Sequence, residues 1–260
     1  MTESDTLEWT AYKRNATEYR GISLAMDTSG DICSVAALRF GKIVSEHAFR
    51  HAMHLSERLM PHIAAVLTEA DAGLNDVEHF AVGIGPGSFT GTRIGVTTAK
   101  TLAWVMHRPI YGICGLEALA IELSGTPDIV VPVLPCRKET VYAGIYRVAE
   151  TWPELLSAPA ARTIPELTDD LRNVDGRSIV FCGEGVEMHR ESLLRVAPAG
   201  RIMGFGRGRS PFASLVGVLA WRRVLTGDPG EDVLAIAPQY ISPPPITLPR
   251  TGTVVNRIEA

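Results

Sequence analysis

Asp27-Thr28-Ser29 places a carboxylate before two hydroxyls. Oxygen donors in that order can hold a magnesium–phosphate, orient a water, or close an ordinary Asx turn. Downstream runs Gly83-Ile84-Gly85-Pro86-Gly87-Ser88-Phe89-Thr90-Gly91-Thr92-Arg93-Ile94-Gly95. Glycines and hydroxyls ahead of a helix start let backbone amides and the positive helix end face an anion. The candidate phosphate contacts are therefore Asp27, Thr28, Ser29, Gly85, Gly87, Ser88 and Thr90. The known loop templates do not fit: counted from Gly85, the second glycine of a Walker loop and the third of a dinucleotide fingerprint both fall on Thr90. Ser88 is not framed as a nucleophile elbow either, because Pro86 stands two residues before it. A tight strand–helix connection without a ligand accounts for the run equally. His51, His54 and His62 cluster nearby, but His51 and His54 lack the four-residue spacing of a helical zinc pair.

Gly91, Gly95, Ala99 and Ala103 recur every four residues, a small-residue stripe along one helix face. Glycine in a helix costs about 1 kcal/mol relative to alanine, and close packing offsets it. The stripe meets either this chain's own sheet and helices or a helix of another subunit. In the second case Ala99→Trp should block the contact.

The elements around these residues fall into two patterns. Residues 22–26, 33–40 and 43–49 read as three antiparallel strands, the last two joined by a turn at Gly41-Lys42. Leu55, Leu59, Ile63, Val66, Leu67 and Ala70 mark a helix with Pro61 in an early turn or at a kink and Gly73 at its end. Then strands at 79–84 and 109–113 alternate with helices through Met106 and over 116–123, the pattern of a parallel sheet. A fainter second unit has strands at 129–134, 141–148 and 179–183, a helix around 187–196 and a long apolar helix over 212–225 that could pack back on the first unit. The expected division is a loose tail over 1–20, a first lobe over 21–115, a smaller second lobe over 116–240 and a proline-rich tail over 241–260.

With 260 residues the chain has room for one or two domains. Hydrophobic residues make up 46% and charged residues 21%, which excludes wholesale disorder. A net charge of -4 argues against a strongly basic nucleic-acid binder. No apolar run approaches the roughly 20 residues of a membrane span, and residues 1–20 lack the apolar centre of a secretory signal. Cys33, Cys114, Cys136 and Cys182 are scattered and form no CxxC, so reduced thiols in a cytoplasmic protein are expected.

Met26-Asp27-Thr28-Ser29, Cys33-Ser34-Val35-Ala36, His54-Leu55-Ser56-Glu57-Arg58-Leu59-Met60-Pro61, the glycine-rich run 83–95 and Gly112-Ile113-Cys114-Gly115-Leu116-Glu117-Ala118-Leu119-Ala120 resemble the TsaB (YeaZ) family. The resemblance is strong over residues 22–123 and weak beyond, through Arg137, Val141-Tyr142 and Pro238-Gln239-Tyr240. It implies the α/β, actin-like ATPase fold (ASKHA, ribonuclease H-like) with two related lobes. It also implies a non-catalytic accessory subunit for threonylcarbamoyl modification of the adenosine beside the tRNA anticodon. The implied partners are a TsaD-like transferase paralogue and a TsaE-like ATPase through the same assembly, with tRNA contacted indirectly and no membrane; a second copy in isolation, paired through the same helices when the transferase is absent, is a further expectation. The implied interface helices match 55–70 and 92–106, so Leu55, Leu59, Ile63, Arg93, Gly95, Ala99, Leu102 and Ala103 are the expected interface residues. No metal or obligatory cofactor is expected beyond weak nucleotide binding in the cleft. Pro135-Cys136 stands where many relatives carry Asp-Ala, and residues 1–20 are an extension. The competing functions are a nucleotide-binding enzyme of the same fold and a metallopeptidase, which would need metal ligands and a water-activating carboxylate.

Overall fold

The computed structural model describes residues 21–50, 54–123, 129–137, 139–148, 152–175, 178–195, 202–205 and 212–241. The expected tail over 1–20, His51, the arginine-containing loop at 201 and 207–209, and all but Ile241 of the proline-rich tail lie outside these residues.

The first lobe opens with β1 (Ile22–Asp27), β2 (Ile32–Arg39) and β3 (Lys42–Arg50), an antiparallel meander. Its second turn is centred on Phe40-Gly41 rather than Gly41-Lys42. Both residues have positive φ, 53° and 68°, as a two-residue hairpin turn of matching twist requires. Helix α1 (Leu55–Glu69), β4 (Val77–Gly83), α2 (Phe89–Met106) and β5 (Ile110–Ile113) follow, giving the sheet order β3-β2-β1-β4-β5 with β4 and β5 parallel to β1. Pro61 lies inside α1 on its exposed side. The helix ends at Glu69, before Gly73, which instead caps a 3-10 turn over Leu74–Asp76.

Every residue of β1 is buried, because helices cover both faces of the sheet. Leu24, Met26, Val35, Phe80 and Val82 pack under α1 and α2. On the other face Ala25, Ala36, Leu38 and Ala81 meet Val216, Leu219 and Ala220 of a helix from the far end of the chain. Small residues on that face allow its close approach.

After α3 (Gly115–Ile121), the second lobe repeats the plan. β6 (Ile129–Pro135), β7 (Thr140–Val148) and β8 (Pro153–Thr163) form a meander, α4 (Ile164–Arg172) and α5 (Gly185–Arg195) cover one face, and β9 (Ser178–Cys182) and β10 (Ile202–Phe205) run parallel. Its order, β10-β9-β6-β7-β8, is the first sheet's order read from the other edge. Leu116, Leu119 and Ala120 of α3 cover its second face. Two sheets of one connectivity, each closed by helices on both faces, make this the actin-like, ribonuclease H-like fold.

Helix α6 (Ala213–Leu225) belongs to the first lobe, and so does the segment after it. Glu231 bridges Ile110, Lys100 donates to the Leu234 carbonyl at 2.7 Å, and the Gln239 amide donates to Ile84 at 2.8 Å. The expected second lobe over 116–240 therefore stops short of α6. No described helix is long and apolar enough to cross a membrane.

Candidate functional site

The parallel strands β1 and β4 end side by side at Asp27 and Gly83. The loop after β4 turns through Gly85, with φ of 102°, and reaches Ser88, the N-cap of α2, whose side chain accepts from the Gly91 amide at 3.2 Å. The Ser88 amide in turn donates to the Ser29 carbonyl at 2.6 Å, and the Thr28 hydroxyl donates to the Gly91 carbonyl at 2.7 Å. A Cβ on Gly91 or Gly95 would lie 2.2 Å from Thr28 oxygens. The small residues thus let α2 lie directly on the loop after β1.

Asp27 is fully buried. Its Oδ1 accepts from the Ser29 amide at 2.9 Å and the Ser29 hydroxyl at 2.8 Å, while Oδ2 has no hydrogen-bond partner. Burial pushes this carboxyl up to about 6; the Ser29 hydrogen bonds oppose the shift and the Glu184 carboxylate adds to it. A cleft of about 600 Å³ lies between the lobes, lined by Ser29, Gly87 and Ser88 on one wall and Arg137, Tyr142 and Glu184 on the other. Phe89 and Tyr240 frame its mouth at 5.1 Å between ring centroids. Arg93 lies over Phe89 at 4.0 Å and donates to the Tyr240 hydroxyl at 2.8 Å.

The fold thus gathers Asp27, Thr28, Ser29, Gly85, Gly87 and Ser88, with Thr90 on the exposed first turn of α2. It spends the hydroxyls of Thr28 and Ser29 and the amide of Ser88 on bonds within the cluster. Among the described residues no three His, Cys, Asp or Glu side chains gather as a metal-binding group. His62 faces His47 rather than His54, which pairs with Glu57.

The expected interface residues require correction. Leu55, Leu59 and Ile63 are core residues under α1, and Gly95, Ala99 and Ala103 are buried under α2. The stripe packs on this chain's own sheet and loop, which is why its residues are small. Leu102 is half-buried, and Arg93 is exposed with its guanidinium held by Phe89 and Tyr240. The outward faces of the same helices carry Met60, Pro61 and Ala64 on α1 and Thr97, Thr101, Trp104 and Val105 on α2. The same periodicity, read at the opposite phase, points to them.

A family profile described as "TsaD: tRNA N6-adenosine threonylcarbamoyltransferase" matches residues 37–193. The chain is 28% identical over 218 residues to the Bacillus subtilis tRNA threonylcarbamoyladenosine biosynthesis protein TsaB, covering 84% of this chain and 93% of that protein. The solved YeaZ from Pseudomonas aeruginosa superposes with a TM-score of 0.71 at 26% identity, over 85% of this chain and 100% of the other. The chain belongs to the TsaB (YeaZ) branch of the TsaD family. It is also similar to Escherichia coli TsaB, at 36% identity over 97 residues, or 37% of this chain and 42% of that one. In this TsaB-family chain the first lobe contains both the buried Asp27 cluster and the two outward helix faces.

Proposed function

We propose that this chain is an accessory subunit of tRNA threonylcarbamoyladenosine biosynthesis that works in the cytoplasm, docking on and activating a TsaD-like transferase. The names carried by its B. subtilis and E. coli relatives support the pathway. The observation that carries the accessory role is the state of the Asp27 cluster: the Thr28 and Ser29 hydroxyls and the Ser88 amide, which could meet a phosphate, donate instead to the Gly91 carbonyl, the Asp27 carboxylate and the Ser29 carbonyl. The docking face is the outward side of α1 and α2, where Met60, Trp104 and Val105 are 42%, 59% and 59% exposed. A stable heterodimer there would bury about 1,200–2,000 Å². A TsaE-like ATPase joins through the transferase, and tRNA is met indirectly.

The test is reconstitution of the modification from purified components. Omitting this chain should abolish or strongly reduce threonylcarbamoyl transfer, and adding it back should restore it. Ala64→Arg, which leaves the core untouched, should lower affinity for the transferase and activity together. Full activity without the chain would overturn the reading. Sedimentation with and without the transferase shows whether a second copy occupies the same face.

A second reading, a nucleotide-binding enzyme of this fold, is favoured by Asp27 Oδ2, a buried oxygen without a hydrogen-bond partner at the end of β1. Calorimetry with ATP and magnesium decides: binding abolished by Asp27→Ala supports this reading, and absence of binding dismisses it.

A further inference from the structure

His47 on β3 and His62 on α1 bring their Nδ1 atoms to 3.4 Å across the seam between sheet edge and helix, with the rings at 88°. That separation is a long hydrogen bond between the two imidazoles. It equals the bite of one tetrahedral ion: two Zn–N bonds of about 2.0–2.1 Å at the tetrahedral angle set the nitrogens about 3.3–3.4 Å apart. Both rings are held. His47 Nε2 lies 3.0 Å from Glu69 Oε1, and the Ser45 hydroxyl donates to the other oxygen of the same carboxylate. The Glu69 carboxylate thus accepts from both side chains. The tautomer of His47 that donates to Glu69 from Nε2 turns its Nδ1 lone pair toward His62. His62 stacks flat on Phe49, 3.9 Å between centroids and 7° between planes.

We infer that His47 and His62 form a two-histidine seat for a divalent transition-metal ion, with Glu69 as the carboxylate that orients His47 behind it. Metal-bound histidines are held in this way by carboxylates on the opposite ring nitrogen. Without metal the His62 Nδ1–H points at the His47 Nδ1 lone pair. On binding, His62 shifts that proton to Nε2 and both Nδ1 lone pairs donate to the ion, so no net proton is released. The remaining coordination positions fall to water. With two protein ligands and the Arg58 guanidinium 5.3 Å above the Phe49 ring, the seat is a weak, exchangeable one.

Zinc chloride titrated calorimetrically into the full chain is the test. One equivalent should bind, His47→Gln and His62→Gln should each lose at least about tenfold in affinity, and Glu69→Gln about tenfold by misorienting His47. Imidazole nitrogen NMR of the unsubstituted protein, which needs no variant to fold, should show two histidine Nδ1 signals moving together as zinc is added. No binding, binding unchanged in either histidine variant, or a spectrum in which His47 and His62 stay still overturns the proposal and leaves a hydrogen-bonded imidazole pair.

Discussion

Gly83 stands where any side chain would strike Asp27: a Cβ built on it would lie 1.8 Å from the carboxylate Oδ2. The neighbouring ends of β1 and β4 are thus fitted to each other, carboxylate against bare backbone. Gly83→Ala should force Asp27 off its Ser29 bonds or splay the strands. Overpacking of this sort costs about 1–3 kcal/mol, and the lost hydrogen bonds put the variant at the upper end. Equilibrium denaturation measures it, and a variant as stable as the parent would show that the strand ends yield freely.

Two buried groups give stability opposite dependences on pH. Asp27 is pushed up to about 6, so between about pH 4 and 6 the folded state binds the extra proton. Its contribution is full below the unfolded value and is lost as pH rises through 6. His79, fully buried, is pushed down to about 4 by desolvation. There the unfolded state binds the extra proton, so that contribution is present above about pH 6.5 and lost as pH falls toward 4. In the parent the two slopes oppose each other. Asp27→Asn should uncover a loss of stability toward acid, and His79→Phe a loss toward neutrality. Denaturant midpoints measured from about pH 4 to 7 should diverge in those directions. Parallel curves would mean that neither group titrates as placed.

Substitutions on the two faces of α1 and α2 should separate folding from docking. Leu59→Ala removes a buried side chain from the core and should cost about 2–5 kcal/mol. Ala99→Trp, which the stripe alone marks as an interface block, should disrupt folding instead, because Ala99 has no exposed surface. Ala64→Arg and Thr101→Arg should leave the melting temperature nearly unchanged while weakening association with the transferase. Thermal melts paired with pull-downs check both, and an Ala99→Trp protein that melts like the parent would reverse the assignment of faces.

Arg223 clamps the segment after α6. It reaches Asp228 at 2.7 Å, Glu231 at 2.8 Å and the Gly112 carbonyl at 3.3 Å, over the face of Tyr111. Arg223→Ala should cost about 1–3 kcal/mol by leaving two carboxylates without their cation. It should also open residues 226–232 to limited proteolysis. An unchanged digestion pattern would show that the backbone bonds at Ile110 and Ile84 hold the segment alone.

The first lobe was legible because its signals are local. Alternation marks β1, short strand-length runs bounded by turn residues mark β2 and β3, and three- and four-residue spacing marks α1 and α2. The second lobe was less so. β8 is a half-exposed edge strand containing Pro153 and Pro159, without the alternation that reveals a strand, and β10 is short. Helix α4 did carry a readable signal, the Thr163–Glu166 capping box with Pro165 behind the cap. At the site, residue types and order marked Asp27-Thr28-Ser29 and the 83–95 run. The Asx turn that ties Ser29 to Asp27 was among the sequence readings, but the bonds from Thr28 to Gly91 and from Ser88 to Ser29 were not, because those partners are distant in the chain. The stripe at Gly91, Gly95, Ala99 and Ala103 was visible as close packing, but periodicity gives a face without saying what lies against it. Thr28 and the sheet lie there.

Because α6 and the strap through Tyr240 complete the sheet that β1 begins, the second lobe is inserted within the first. During synthesis the amino-terminal sheet must wait, one face uncovered, until the whole insertion has emerged from the ribosome. Chains cut short anywhere in the second lobe would leave Ala25, Ala36 and Ala81 facing water, a surface for quality-control proteins to recognise rather than a shorter working subunit.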